Sequence, residues 1–181
     1  REEYGDKIGK IYNEGIDLIK NEKLDILSVA VPNNQHMELT IAGLEAGANV
    51  LCEKPMAMNE AEALKMLETA KRCNRKLGID FSYRFYPQSR AMKKVVESGA
   101  LGDIYYARTI WFRRDGMPGL AAADFNTASS ARGAMGSWFF DKQQSGGGPL
   151  IDIGTHALDL TLWMMDNYKP KYCIGQAYHK L

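Results

Sequence analysis

Three short apolar runs, Leu24 to Val31, Asn49 to Cys52 and Lys76 to Phe81, alternate with segments whose apolar residues recur at helical spacing. That alternation constrains the fold more than any other feature. Parallel neighbours in one sheet need a crossover connection, usually a helix. It predicts an α/β fold with part of a Rossmann-like, doubly wound parallel sheet. The run Val50 to Cys52 continues into Glu53, Lys54 and Pro55, and reads as a strand buried on both faces. Between the strands, Gln35 to Ala46 reads as a helix with Gly47 just past its end. Asn59 caps the next helix, which runs to about Cys73, with Glu62 at the capping-box position. Upstream, residues 3 to 22 read as a helix with Ile8, Ile11, Ile16 and Ile19 on one side, weakened by Gly9 and Gly15.

The pattern shifts beyond Tyr86. Pro87 to Ser98 reads as a helix ended by Gly99. Ile104 to Arg113 is long and alternating, as expected for the first strand of a second, mainly antiparallel sheet. Residues 114 to 145 lack periodicity, and a stretch of that length is commonly a functional loop or disordered. A helix from about Pro149 to Met165 and a strand from Lys171 to Lys180 follow. The expected organisation is therefore residues 1–86 as part of a Rossmann domain and 87–181 as the start of an α+β domain.

Two motifs carry chemistry. Residues Gly146 to Asp159 place a glycine cluster ahead of Asp152, His156 and Asp159, which share one helical face, opposite a core stripe of Leu158, Leu162 and Met165. A carboxylate and an imidazole projecting together suit proton transfer to a small polar ligand. Lys54 closes a strand of the parallel sheet, where open α/β sheets bind ligands, and Pro55 restricts it to extended conformations.

Composition narrows the partners. With 45% hydrophobic residues, 25% charged residues and a net charge of +1, the chain is globular and carries no basic patch that would suggest nucleic acid. No apolar run approaches the roughly 20 residues of a membrane span. Three widely spaced cysteines form neither a disulfide framework nor a metal pattern, so a reducing cytoplasm and no metal are expected.

In order, Glu53-Lys54-Pro55, Arg84-x-x-Pro87 and Gly147-Gly148-x-x-x-Asp152-x-Gly154-x-His156-x-x-Asp159 resemble the glucose–fructose oxidoreductase / inositol dehydrogenase / MocA family. The turn Pro32-Asn33-Asn34-Gln35-His36 and the linker Ser98 to Ile104 add to the likeness, which runs from about Leu24 to the end. The resemblance implies hydride transfer between NAD or NADP and a hydroxyl carbon of a sugar, inositol or similar polyol. Lys54, Asp152 and His156 would be catalytic, with either Lys54 or His156 as principal base. Pro32, Asn33, His36, Glu53, Lys54 and Arg84 would lie at the cofactor. Some carry structural alternatives: for Asn33 a role in the turn alone, and for Arg84 a pair with a carboxylate such as Asp80. The family also implies a homo-oligomer through the second sheet. Rival readings within it are an NAD-dependent glycoside hydrolase and a non-catalytic sensor. No Gly-x-Gly-x-x-Gly occurs, so the simplest expectation is an internal piece of a longer protein that lacks the first βαβ unit.

Overall fold

A computed structural model describes residues 7–111 and 137–176. Three strands, β1 (Ile26–Val29), β2 (Asn49–Glu53) and β3 (Leu77–Asp80), form one parallel sheet in the order β1-β2-β3. Val29 stands opposite Cys52, and Glu53 opposite Asp80, so the three carboxyl ends are level. Helices α1 (Gly15–Asn21), α2 (His36–Glu45) and α3 (Glu60–Arg72) connect and cover them.

One apolar cluster holds this unit together. Leu27, Val29, Val50 and Cys52 point from the sheet into Ile19 of α1, Leu39 and Leu44 of α2, and Met66 and Ala70 of α3. Leu44 and Met66 are fully buried, each contributing roughly 1.5–3 kcal/mol of transfer free energy. Gly43 lets α2 lie against the sheet, because a Cβ there would sit 2.6 Å from Leu27 Cδ2 and 3.2 Å from Val50 Cγ2. Burial pushes the Cys52 thiol pKa up to about 11.

The opposite face departs from expectation. Ile26 is 70% and Leu51 43% exposed, so the strands are covered on one face only among the described residues. All three helices pack into the same cluster, and strand composition alone cannot show what lies over the other side.

The helix ends follow local chemistry. Past α2, Gly47 takes φ +92°, its N–H donates to Leu44 O at 3.1 Å, and Ala48 N–H donates to Gly43 O at 3.0 Å. That is a Schellman closure. At α3, Glu62 N–H donates to Asn59 Oδ1 at 3.1 Å. The Glu62 carboxylate reaches back to Asn59 Nδ2 and Met58 N–H. The helix expected over residues 3–22 shrinks to α1. Lys10 to Asn13 are not helical, Ile11 lies exposed, and residues 1–6 fall outside the described residues. Two glycines and a cap without a side-chain bond leave the first turns without support.

Helix α4 (Pro87–Glu97) starts with Pro87 in its first turn and is followed by Gly99 at φ +74°. Residues 104–111 form no strand, and Tyr105 is 93% exposed. Residues 171–176 form none either, while 112–113 and 177–180 lie outside the described residues. Alternation alone makes no ladder. A strand needs a neighbouring strand for its backbone groups, and the sheet of described strands is β1-β2-β3 alone.

Within the stretch expected to lack pattern, 114–136 lies outside the described residues. A 3₁₀ turn (Ser137–Phe140) and a short helix α5 (Lys142–Ser145), capped by Asp141, complete it. The expected site helix divides into a π-helical turn (Leu150–Gly154) and α6 (Thr155–Met165). Its orientation differs from expectation: Leu158 is 54% exposed, whereas Asp159 is 8% exposed. The carboxylate turns inward because a guanidinium awaits it there.

Candidate active site

The level strand ends collect the motifs. Lys54 follows β2 directly, its backbone N–H donating to Glu53 Oε2 at 3.2 Å. Its ammonium crosses to the π turn, donating to Asp152 O at 2.8 Å and Asp152 Oδ1 at 3.0 Å. Both side chains are largely shielded, so the pair is stronger than a surface ion pair. An ammonium has three N–H donors, and these bonds use two.

His156 lies in the first turn of α6, one helical turn beyond Asp152. The imidazole is partly buried, with Tyr83 of the 3₁₀ turn Ser82–Phe85 against it, ring centroids 4.5 Å apart. Burial is the largest cause holding its pKa below the ordinary histidine value, and the Lys54 charge adds to it. Asp152, Asp159 and Asp80 pull the other way without prevailing. The ring is therefore held as the neutral base at neutral pH. Its Nδ1 is buried with no hydrogen-bond partner among the described residues.

The other expected residues are placed as follows. Arg84 Nε donates to Asp159 Oδ2 at 2.7 Å and its Nη2 to Asp159 Oδ1, a two-bond clamp from the end of β3 to α6. Its carboxylate partner is thus Asp159, not Asp80. Asn33 is buried and its Nδ2 donates to Ser145 O at 2.8 Å, tying the turn after β1 to α5. His36 is fully buried, with Nδ1 2.7 Å from Pro55 O and Nε2 3.0 Å from Val31 O. It braces the ends of β1 and β2 against each other. Pro32 and Glu53 are half-buried beside them.

The structure thus brings Lys54, Asp152 and His156 together and turns the polar atoms of Asn33, His36 and Arg84 toward protein groups. Two residues at this centre carry roles the sequence reading did not assign. Asp159 stood within the quoted motif without a role. Tyr83 had no periodic signal, only its place beside Arg84. Among the described residues no group of three or more His, Cys, Asp or Glu could hold a metal, and no helix is long and apolar enough to cross a membrane.

A shielded cation fixed by a carboxylate, next to an imidazole that stays neutral, can bind a hydroxyl oxygen and remove its proton. Comparison with known proteins gives this geometry a context. A family model described as an oxidoreductase family with an NAD-binding Rossmann fold matches residues 6–81. A GFO/IDH/MocA C-terminal domain model matches residues 89–180. The chain is similar to D-glucoside 3-dehydrogenase of Escherichia coli K12, 35% identical over 180 residues, covering 99% of this chain and 46% of that protein. Levoglucosan dehydrogenase of Pseudarthrobacter phenanthrenivorans is 31% identical over 151 residues, covering 83% of this chain and 35% of that one. A solved levoglucosan dehydrogenase in complex with NADH and levoglucosan superposes with a TM-score of 0.62 at 29% identity, covering 84% of this chain and 38% of that one. The chain therefore spans less than half the length of these relatives.

Proposed function

The chain belongs to the GFO/IDH/MocA oxidoreductase family, and from that premise we propose that it carries the proton-handling half of a dehydrogenase site acting on a hydroxyl carbon of a sugar or related polyol. The observation that carries this reading is the Lys54 ammonium held on Asp152 beside a neutral His156. In the oxidation direction the substrate hydroxyl takes the remaining Lys54 N–H as a donor to its oxygen. His156 removes the hydroxyl proton, and Lys54 stabilises the negative charge that develops on the oxygen. Asp152 keeps Lys54 in place and accepts from a neighbouring substrate hydroxyl. In reduction His156 returns the proton. Lys54, charged and paired with a carboxylate, is a poor proton acceptor, which favours His156 as the base.

The cofactor is NAD or NADP, and its nicotinamide, when bound, accepts or supplies the hydride. Level parallel-strand ends opening beside the imidazole fit that group. Pro32, Asn33, His36, Glu53, Lys54 and Arg84 shape the place, several of them by bracing its walls. These 181 residues contain no Gly-x-Gly-x-x-Gly, the turn that commonly cradles a dinucleotide's pyrophosphate. We assign 1–86 to the cofactor domain and 87–181 to the substrate domain. A cytoplasmic location suits three free cysteines, and a homo-oligomer formed through the second domain completes the proposal.

The test is an absorbance assay for reduced nicotinamide. The intact protein is given NAD or NADP with D-glucosides, levoglucosan, inositols and aldoses in turn. Accumulation with at least one of them is expected. No signal with any would overturn the reading. A transient signal accompanied by release of free sugar would move the assignment to nicotinamide-assisted glycoside cleavage.

A further inference from the structure

The 3₁₀ turn that carries Arg84 also carries Tyr83, and this ring has an unusual set of neighbours. It stands edge to face on His156 at 4.5 Å with planes at 72°. It also meets Trp111 edge-on at 5.2 Å and Tyr86 at 4.8 Å. Such contacts are directional, so two aromatic neighbours fix Tyr83 and Tyr83 in turn confines the imidazole. A histidine base is ordinarily oriented by a hydrogen bond to its second nitrogen. Among the described residues His156 Nδ1 has none. The neighbour that packs against the imidazole is instead the Tyr83 ring.

We propose that Tyr83 is a positioning residue whose ring, buttressed by Trp111 and Tyr86, sets the rotation of His156 and keeps water from its face. The proposal rests on the reading of His156 as the proton-handling group. Other groups act on the same imidazole: Lys54 from the end of β2, Asp80 from the end of β3, Asp152 from the π turn and Asp159 from α6. All are charged, so an uncharged substitution at Tyr83 changes solvation and leaves them in place.

Tyr83→Phe retains the wall, whereas Tyr83→Ala removes it. Tyr83→Gln fills the space with a hydrated group and serves if the alanine variant does not fold. The first readout is the His156 titration midpoint in the intact protein by NMR, with the resonance identified by its loss in His156→Gln. The midpoint should rise toward the ordinary histidine value in Tyr83→Ala and Tyr83→Gln and stay in place in Tyr83→Phe. An unmoved midpoint in a folded alanine or glutamine variant overturns the proposal. So does a phenylalanine variant that shifts as far as alanine, because the hydroxyl would then be responsible. The second readout is kinetic: kcat falls about 10- to 100-fold in Tyr83→Ala with a smaller change in KM, and Tyr83→Phe recovers most of it. The titration needs no turnover. A protein that titrates as expected but oxidises no sugar would sink the functional reading and leave the Tyr83 inference standing.

Discussion

The sheet unit and the α5–α6 segment are held by different forces. In the first, ten buried apolar residues from two strands, three helices and the turn after α2 form one cluster, with Leu77 and Ile79 of β3 packed against it. In the second, among the described residues, Ala157 is the one buried apolar side chain. Polar attachments do most of the rest: Lys54 to Asp152, Arg84 to Asp159, Asn33 to Ser145, and Lys93 of α4 donating to Trp163 O at 2.8 Å. Apolar packing is forgiving of direction, and charge-assisted bonds are not. The scaffold is thus built by area and the site by geometry. Stability and catalysis should respond to different substitutions.

The contrast is broken most directly in the core. Leu44→Ala should cost about 2–5 kcal/mol of stability in urea unfolding. A cost no larger than that of removing one polar attachment would mean the two regions are not differently built. Next comes Lys54→Ala, expected to lower turnover by about 100-fold or more while NADH still binds in a fluorescence titration. Near-normal turnover would remove Lys54 from the chemistry. The same variant sharpens the electrostatic account. With a lowered His156 pKa, the ascending limb of the oxidation rate should lie below the ordinary histidine range, because the neutral ring is the active form. Loss of the Lys54 charge should move that limb upward but not fully, since burial is the larger cause. A limb that moves down would refute the sign. Third, Arg84→Ala leaves the buried Asp159 carboxylate unpaired and should cost about 1–3 kcal/mol, with kcat falling alongside. The smallest effect belongs to Arg72→Ala, which breaks an exposed pair with Glu45 and should leave the melting temperature in place.

Local signals made the scaffold legible. The Asn59–Glu62 cap, the Gly47 closure and Pro87 at the start of α4 are chemistry within a few residues, and each is found as read. Burial on both strand faces was not legible, because it depends on what lies over Ile26 and Leu51. In the expected strands Ile104 to Arg113 and Lys171 to Lys180 the described residues, 104–111 and 171–176, form no strand for a related reason: periodicity describes a strand's faces and says nothing of its neighbours. At the site, Lys54, Asp152 and His156 could be named because the order and spacing of their motifs resemble those of a known family. The inward turn of Asp159 could not, since its partner Arg84 lies 75 residues away. Tyr83 was hidden for the same cause. An aromatic residue in a short irregular turn has no periodic signature, and its contacts with Trp111 and His156 exist only in three dimensions.

Cys52 occupies the strand that leads into Lys54, two positions before it, yet its sulfur is sealed inside the core and hard to ionise. Electrophiles and oxidants therefore meet the exposed Cys173 first. The strand that leads to the amine is thereby insulated from oxidants in the surrounding solvent.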